Sequence, residues 1–406
     1  MAAQIRQQES EFLSEILLRA RALQAEIVGW RRIIHRQPEL GFQEHHTALL
    51  VADALQEMGL QVETGVGKTG IVGHLGQGQP AVGLRADLDA LEIQEANDTP
   101  YTSCTPGLMH ACGHDAHTAM LLGAAELLRS LPGRPPGEIR FLFQPCEEAW
   151  DSEDKGGALR MVEEGALTGL DAVLGLHVDP RAEAGSLGIR SGYVMPGVDP
   201  YDAILFGQSC HSSRPHQGLN PIYLLGQVLS AILAIPAERI DPLESAVVSV
   251  EAVHGGSTTG VIADRVLLHG NIRAYDDGTR LQLREELARA LSQARALGGD
   301  YELAVRSIFP ACYNDPQITA IVEQVAAQML GASCLYEPDL NMSGEDFGYM
   351  TQAVPGAFVR LGVEIAGDQR ALHSPTFDVD ESALPTGSAI LAAATCHLLR
   401  DLVAQQ

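Results

Sequence analysis

Basic residues are scarce in this chain. Against 52 Asp and Glu stand only 27 Lys and Arg, a formal net charge of −25 over 406 residues. Nucleic acid and anionic membranes both call for a basic surface, so neither is expected as a partner. No uninterrupted apolar run reaches the ~18 residues of a spanning helix, so no segment is expected to cross a membrane. The first ten residues are polar and charged where a secretory leader would have a basic patch and an apolar stretch, so no leader is read. Cysteine is sparse and odd in number, seven in scattered contexts. That argues against a disulfide framework and for reduced thiols in a cytoplasmic compartment. The 46% hydrophobic content is enough for a large core, and the length allows two domains.

What the chain does contain is concentrated at 110–117, His-Ala-Cys-Gly-His-Asp-Ala-His. Cys112 and His114 are one residue apart, so a turn or helix start presents both side chains to one ion. Thiolate with imidazole suits zinc, with nickel, cobalt or manganese when carboxylates complete the shell. The alternative is a histidine-rich loop whose rings merely cap a helix. Three other segments supply further ligand types, each where an apolar run of strand length ends. The run starting at Glu138 stops at Pro145 and delivers Glu147 and Glu148; Ala172–Leu176 leads into His177; Ala81–Arg85 leads into Asp87 and Asp89. In open α/β sheets the loops beyond strand carboxyl ends converge on one crevice, which makes these residues site candidates.

Helical spacing predicts a helix from Glu11 to Arg36 and a second from about Gln43 to Met58, ending at Gly59. Strands are read near Gly70–Leu75 and Ala81–Arg85, and a helix from about His114 to Arg129. This alternation argues an α/β layer structure. From about Pro196 to Pro310 the pattern becomes β-α-β-β-α, which suggests a small ferredoxin-like domain. The expected organisation is a metal-binding catalytic domain at 1–195 and 311–406, interrupted by a satellite domain at 196–310.

Read together, Arg85–Leu91, His110–His117, Gln144-Pro-Cys-Glu-Glu148, Gly175-Leu-His-Val178, Ser343-Gly-Glu-Asp-Phe347 and Leu372–Phe377 resemble, in order, the dinuclear-metal amidohydrolases. The branch they look like holds hippurate hydrolases, N-acyl-amino-acid amidohydrolases and auxin-conjugate hydrolases, relatives of aminoacylase and glutamate carboxypeptidase. The resemblance implies a mixed-sheet α/β catalytic domain with helices on both faces, like the zinc peptidases, plus the inserted ferredoxin-like α+β satellite, to which it gives a role in dimerisation. It also implies two divalent metal ions, zinc or manganese before nickel or cobalt, held by Cys112, His114, Glu148, His177 and His373, with Cys112 as the bridge. Glu147 becomes the general base and acid, and Asp89 a support for a ligand or for Glu147, a helix cap being the other reading. Asp87 stands where many relatives have a ligating histidine. His110 and His117 are read as structural, and Glu345 and Asp346 as helix caps or site supports. In the satellite, His211 resembles the histidine that approaches the scissile carbonyl, often from the partner subunit, a role in oxyanion stabilisation. Asn271 and Arg273 resemble the strand element that contacts the substrate carboxylate. The chain departs from the pattern at Gly260, where relatives often carry asparagine, and at Ala263, where they carry proline.

The implied activity is hydrolysis of the amide bond of an N-acyl amino acid by a metal-activated water, in a homodimer acting on a small molecule or short peptide. A dipeptidase or carboxypeptidase shares the metal centre and differs in the pocket. A catalytically silent metal-binding homologue is the reading of another class, and the intact Glu147 speaks against it, since a protein that only stores or senses metal needs no base there.

Overall fold

The computed structural model describes residues 2–256 and 258–405. The chain divides into two units: Met1–Val194 with Tyr313–Asp339 and Tyr349–Gln406, and Met195–Cys312 with Leu340–Gly348.

The first unit opens with α1 (Ala2–Ala22) and α2 (Gln24–Arg36), which helical spacing alone joins into one helix; Leu23, at φ −85° and ψ 0°, separates them. Next come α3 (His45–Glu57), β1 (Gln61–Val66), β2 (Gly70–Gly76) and β3 (Ala81–Asp87). After a long connection follow α4 (His114–Ser130), β4 (Glu138–Gln144) and β5 (Ala172–Glu183). An eight-stranded sheet runs in the order β1, β2, β4, β3, β5, Gly356–Glu364, Leu187–Gly188, Leu335–Tyr336. β1, β2 and β4 pair antiparallel, whereas β4, β3, β5 and Gly356–Glu364 pair parallel. Every residue of β3 is buried, as a central parallel strand covered on both faces requires.

This register positions the site. Asp87 lies opposite Gln144, so β3 and β4 end level. Arg85 lies opposite Gly175, so His177 stands beside those ends, although β5 runs on through it to Glu183, whereas the sequence suggests a strand end there. Residues just past the ends of β3 and β4 emerge along one edge of the sheet. α4 is buried on nearly all sides and is rich in Ala and Leu, the pattern of a core helix.

The second unit is a four-stranded antiparallel sheet, in the order Ala246–Gly255, Arg265–Ala274, Gly197–Phe206, Asp300–Val305. The helices Pro221–Glu238 and Asp277–Leu291 pack into its core through Leu224, Val228, Ile232, Leu283 and Leu287. The last strand, absent from the β-α-β-β-α reading, completes a ferredoxin-like order. Its alternation of half-buried Tyr301, Leu303 and Val305 with Asp300, Glu302 and Ala304 carries too little apolar signal to stand out. Leu340–Gly348, which chain order assigns to the flanking catalytic segment, groups with this second unit.

Pro221–Glu238 and Glu381–Ala404 are long and apolar enough to cross a membrane by length and composition, although each lacks the uninterrupted apolar run sought in the sequence. Glu381–Ala404 is 89% buried, which accounts for its apolarity as that of a core helix.

Candidate metal centre

The carboxyl ends of β3 and β4, the middle of β5, the start of α4 and the loop before the last helix bring the five proposed ligands together in the first unit. Cys112 Sγ lies 3.5 Å from His177 Nε2 and 3.4 Å from His373 Nε2. His373 Nε2 is 3.1 Å from Glu148 Oε1. Potential ligand atoms of Cys112, His114 and His177 fall within 4.8 Å of one another, and so do those of Cys112, Glu148 and His373. Cys112 belongs to both groups. A thiolate shared between two donor sets is the arrangement a bridging ligand needs.

Ring orientation follows from the hydrogen bond at the other nitrogen. His177 Nδ1 donates to the Val178 carbonyl at 2.8 Å, which leaves Nε2 as the lone pair turned to Cys112. His114 Nδ1 lies 3.1 Å from Asp89 Oδ1, and its Nε2 is buried without a hydrogen-bond partner among the described residues. A buried imidazole nitrogen left unpaired is costly unless something binds it. His117 differs: Nδ1 bonds Asp87 Oδ1 at 2.7 Å and Nε2 accepts the Val178 N–H at 3.0 Å. Although Asp87, His114 and His117 also lie within 4.8 Å of one another, both nitrogens of His117 are committed, so it is structural.

Electrostatics point the same way. Burial opposes protonation of His114, yet Asp87 and Asp89 raise its pKa to about 10. The Cys112 thiol is pushed well above its ordinary value by burial and by the charges of Glu148, Glu147 and Asp87. Burial and the neighbouring His117 hold His177 neutral, well below the usual histidine range. The donor set thus carries surplus negative charge that a divalent cation would offset. With its thiolate, imidazoles and carboxylate it suits divalent ions, and the two ions implied by the motifs fit the residues present.

Glu147 is buried and places a carboxylate oxygen within 4.8 Å of donor atoms on His114 and Glu148. The turn delivering it is strained: Cys146 adopts left-handed backbone at φ +44°, and His373 does so at φ +58°. The N–H of Cys146 donates to Glu44 Oε1 at 2.8 Å, and the other oxygen of Glu44 accepts the Thr69 hydroxyl at 2.5 Å. Burial, then the nearby Asp89, push the Glu44 carboxyl up to about 7. Asp89 spans the site, since its Oδ2 accepts the Glu148 N–H at 3.0 Å while Oδ1 holds His114. Gly113 opens α4 at φ +90°, and a Cβ there would lie 2.6 Å from Val178.

His211, Asn271 and Arg273 belong to the second unit. His211 is exposed on the two-residue strand Cys210–His211, where its Nδ1 accepts the Ser213 N–H at 3.1 Å. Asn271 Nδ2 donates to Glu251 Oε1 at 2.7 Å, and Arg273 donates to the Met342 carbonyl. Gly260 has φ +84°, in the region where glycine and asparagine are the residues best tolerated. Glu345 Oε1 accepts the N–H of Phe347 at 3.0 Å, a bond at the start of the helix Phe347–Ala353.

Residues 83–397 match the model of peptidase family M20/M25/M40. The chain belongs to this family. It is 37% identical over 380 residues to the N-acetyl-L-cysteine deacetylase of Bacillus subtilis, covering 93% of this chain and 89% of the relative. To the IAA-amino acid hydrolase ILR1-like 4 of Arabidopsis thaliana it is 35% identical over 386 residues, 93% of this chain and 87% of the relative. The crystal structure of the Bacillus subtilis YxeP protein, described as a dinuclear metal-binding peptidase, superposes with a TM-score of 0.81 at 30% identity, covering 93% of this chain and 99% of that one. The resemblance read from the motifs is thereby shown, and with it the enzyme class of this M20 chain: a metal-dependent amidohydrolase.

The motifs missed Arg31, His35, Glu44 and Glu95, which surround the ligand-bearing segments. One signal was available for Arg31: it shares the buried face of α2 with Ile27, Ile34 and His35.

Proposed function

We propose that this M20 enzyme hydrolyses the amide bond of N-acyl amino acids, releasing a carboxylic acid and a free amino acid. The observation that carries the reading is Cys112 shared by two donor groups, with the buried carboxylate of Glu147 beside His114 and Glu148. Two divalent ions, zinc or manganese, would be held by Cys112, His114, Glu148, His177 and His373. When bound, such ions polarise a carbonyl and bring the pKa of water toward neutrality.

The chain's own groups do the rest. Glu147 takes the proton of the attacking water and returns it to the leaving nitrogen, so one carboxylate serves as base and then as acid. Asp89 keeps the His114 ring in the tautomer whose Nε2 is free to bind a cation. The Ser213 N–H donated to His211 Nδ1 leaves the proton of the neutral ring on Nε2, a donor suited to negative charge developing on the carbonyl oxygen. Arg273 and Asn271 are the candidates for the substrate carboxylate; Arg273 gives one donor to the Met342 carbonyl and Asn271 one to Glu251, and each side chain has further N–H groups to offer.

A homodimer fits the apolar surface of the second unit, where Ile222, Tyr223 and Leu233 on one helix and Val253 on the edge strand Ala246–Gly255 are exposed. Seven free cysteines fit a cytoplasmic enzyme. Assays of N-acetyl and N-benzoyl amino acids beside dipeptides, after metal reconstitution, test the reading. Turnover confined to dipeptides would replace it with a dipeptidase, and no turnover of either would favour a silent metal-binding homologue.

A further inference from the structure

Beneath the ligand-bearing segments lies a buried ionic cluster that touches none of the proposed metal donors. Arg31, fully buried on α2, donates from Nε to Asp115 Oδ2 at 3.0 Å, from one terminal nitrogen to Glu381 Oε1 at 3.0 Å and from the other to Asp378 Oδ1 at 2.6 Å. All three sides of the guanidinium are therefore spent on carboxylates. Asp115 also accepts from His35 Nδ1 at 2.8 Å, and His35 Nε2 reaches Glu95 at 3.2 Å. Asp378 is held a second time by the Tyr101 hydroxyl at 2.8 Å.

Such a cluster is a poor way to gain stability. Desolvating an arginine and several carboxylates offsets most of their attraction, and apolar residues of similar volume would serve at least as well. What the cluster does supply is geometry. Asp115 follows His114 directly in the first turn of α4, and Asp378 lies just beyond His373 in the loop that enters the last helix. The two carboxylates come from segments far apart in the chain, and one planar guanidinium sets their spacing and mutual orientation. Close to the ligands the same segments are also tied by the 2.8 Å bond from the His373 N–H to the Ala111 carbonyl. His373 sits in left-handed backbone, a conformation that persists only where its surroundings enforce it.

We propose that Arg31 is a positioning residue for the metal centre: through Asp115 and Asp378 it clamps the Cys112–His114 segment to the His373 segment. The inference rests on the metal-centre assignment above and extends it to a residue that contacts no ion. Without the guanidinium, Asp115 keeps His35 and Glu381 keeps Arg32, but among the described side chains Asp378 retains only the Tyr101 hydroxyl and none joins the three carboxylates. Their repulsion moves the His373 loop away from α4, and the ion that depends on His373 is held less tightly than the other.

The test is titration of full-length, metal-stripped protein with cobalt(II), read by the visible bands of the bound ion and by thiolate-to-cobalt absorption from Cys112. Wild type should take up two equivalents. In Arg31→Gln and Asp378→Asn the first equivalent should change by less than about threefold while the second weakens by on the order of 10–100-fold, the range for a lost outer support. Arg31→Lys, which keeps the charge and loses the fork, should recover part of that loss. Unchanged binding of both equivalents in Arg31→Gln and Asp378→Asn, whatever their melting temperatures, would overturn the clamp, as would equal weakening of both ions. If Arg31→Gln does not fold, Asp378→Asn decides, since it leaves Arg31 paired with Asp115 and Glu381. A wild-type protein that takes up no cobalt would instead remove the metal-centre assignment on which the clamp depends.

Discussion

Asp89 and His114 are joined by a 3.1 Å hydrogen bond between carboxylate and ring Nδ1, and the second oxygen of the same carboxylate accepts the Glu148 N–H. One side chain at the end of β3 thus orients a candidate ligand on α4 and the backbone of a candidate ligand after β4. Asp89→Ala should weaken metal binding by on the order of 10–100-fold while leaving the ligand set complete. Asp89→Asn, which can still accept from one side, should lose less. Competition with a chromophoric chelator measures both, and an Asp89→Ala protein with wild-type affinity would show that Asp89 does not support the ligands; its bonds, to a ring and to a loop N–H, already differ from those of a helix cap.

Glu147 and Glu148 are adjacent and assigned different work. Glu147→Gln should retain metal and lose turnover by ~10²–10⁴-fold, the range for a missing general base, or more because the group acts twice. Glu148→Ala should lose metal and activity together. Metal analysis beside kinetics decides: an empty Glu147→Gln protein with a full Glu148→Ala protein reverses the two roles.

The sharing of His211 between subunits has a direct test. A heterodimer of a Glu147→Gln subunit and a His211→Ala subunit contains one site with an intact base from one chain and an intact histidine from the other. Doubly tagged, doubly purified heterodimer should regain activity above both parental homodimers. Activity no higher than theirs would place His211 in its own chain's reaction or outside the chemistry. Loss of the histidine alone should lower kcat on the order of 10²–10³-fold, as for other single oxyanion donors.

His35 gives the metal-free protein a pH-dependent stability. Burial opposes its protonation, but Asp115 and Glu95 outweigh burial and raise its pKa from 6.5 to about 9. Because the folded value is the higher one, the stabilisation is fully present below about 6.5 and is lost as pH rises through about 9. The melting temperature of wild type should therefore exceed that of His35→Gln most at pH 6, with the gap narrowing toward pH 9.5. A gap constant across that range would mean that His35 is not protonated in the fold.

Gly260 tests the departure from the usual asparagine. Nothing lies within 4 Å of a Cβ placed there, so the only obstacle to a side chain is its positive φ. Gly260→Asn should fold as well as wild type, whereas Gly260→Val should cost about 1–2 kcal/mol. If the asparagine side chain restores a substrate contact, KM should fall with kcat little changed; an unchanged KM in Gly260→Asn would show that the contact is not used here.

Local sequence determined a good deal of this protein, because its chemistry sits where local patterns end. The buried runs of β3, β4 and β5 are continuous and apolar, so their ends are legible, and with them Asp87, Glu147, Glu148 and His177. Cys112 and His114 share a short motif at a helix start that Gly113 makes possible. Elsewhere the local signal fails for identifiable reasons. The strand Asp300–Val305 alternates half-buried apolar side chains with polar ones too weakly to stand out, and a helical period cannot register one non-repeating break at Leu23. Tertiary structure alone decided which residues hold the ligand segments. Arg31 meets Asp378 across 347 positions of chain, and Glu44 meets the N–H of Cys146 across 102. Only the parallel register of three strands set His177 of β5 beside the ends of β3 and β4. A sequence motif records which groups can bind; their distances, tautomers and shared charges arise when distant segments are packed out of water, where each buried polar atom must find a partner.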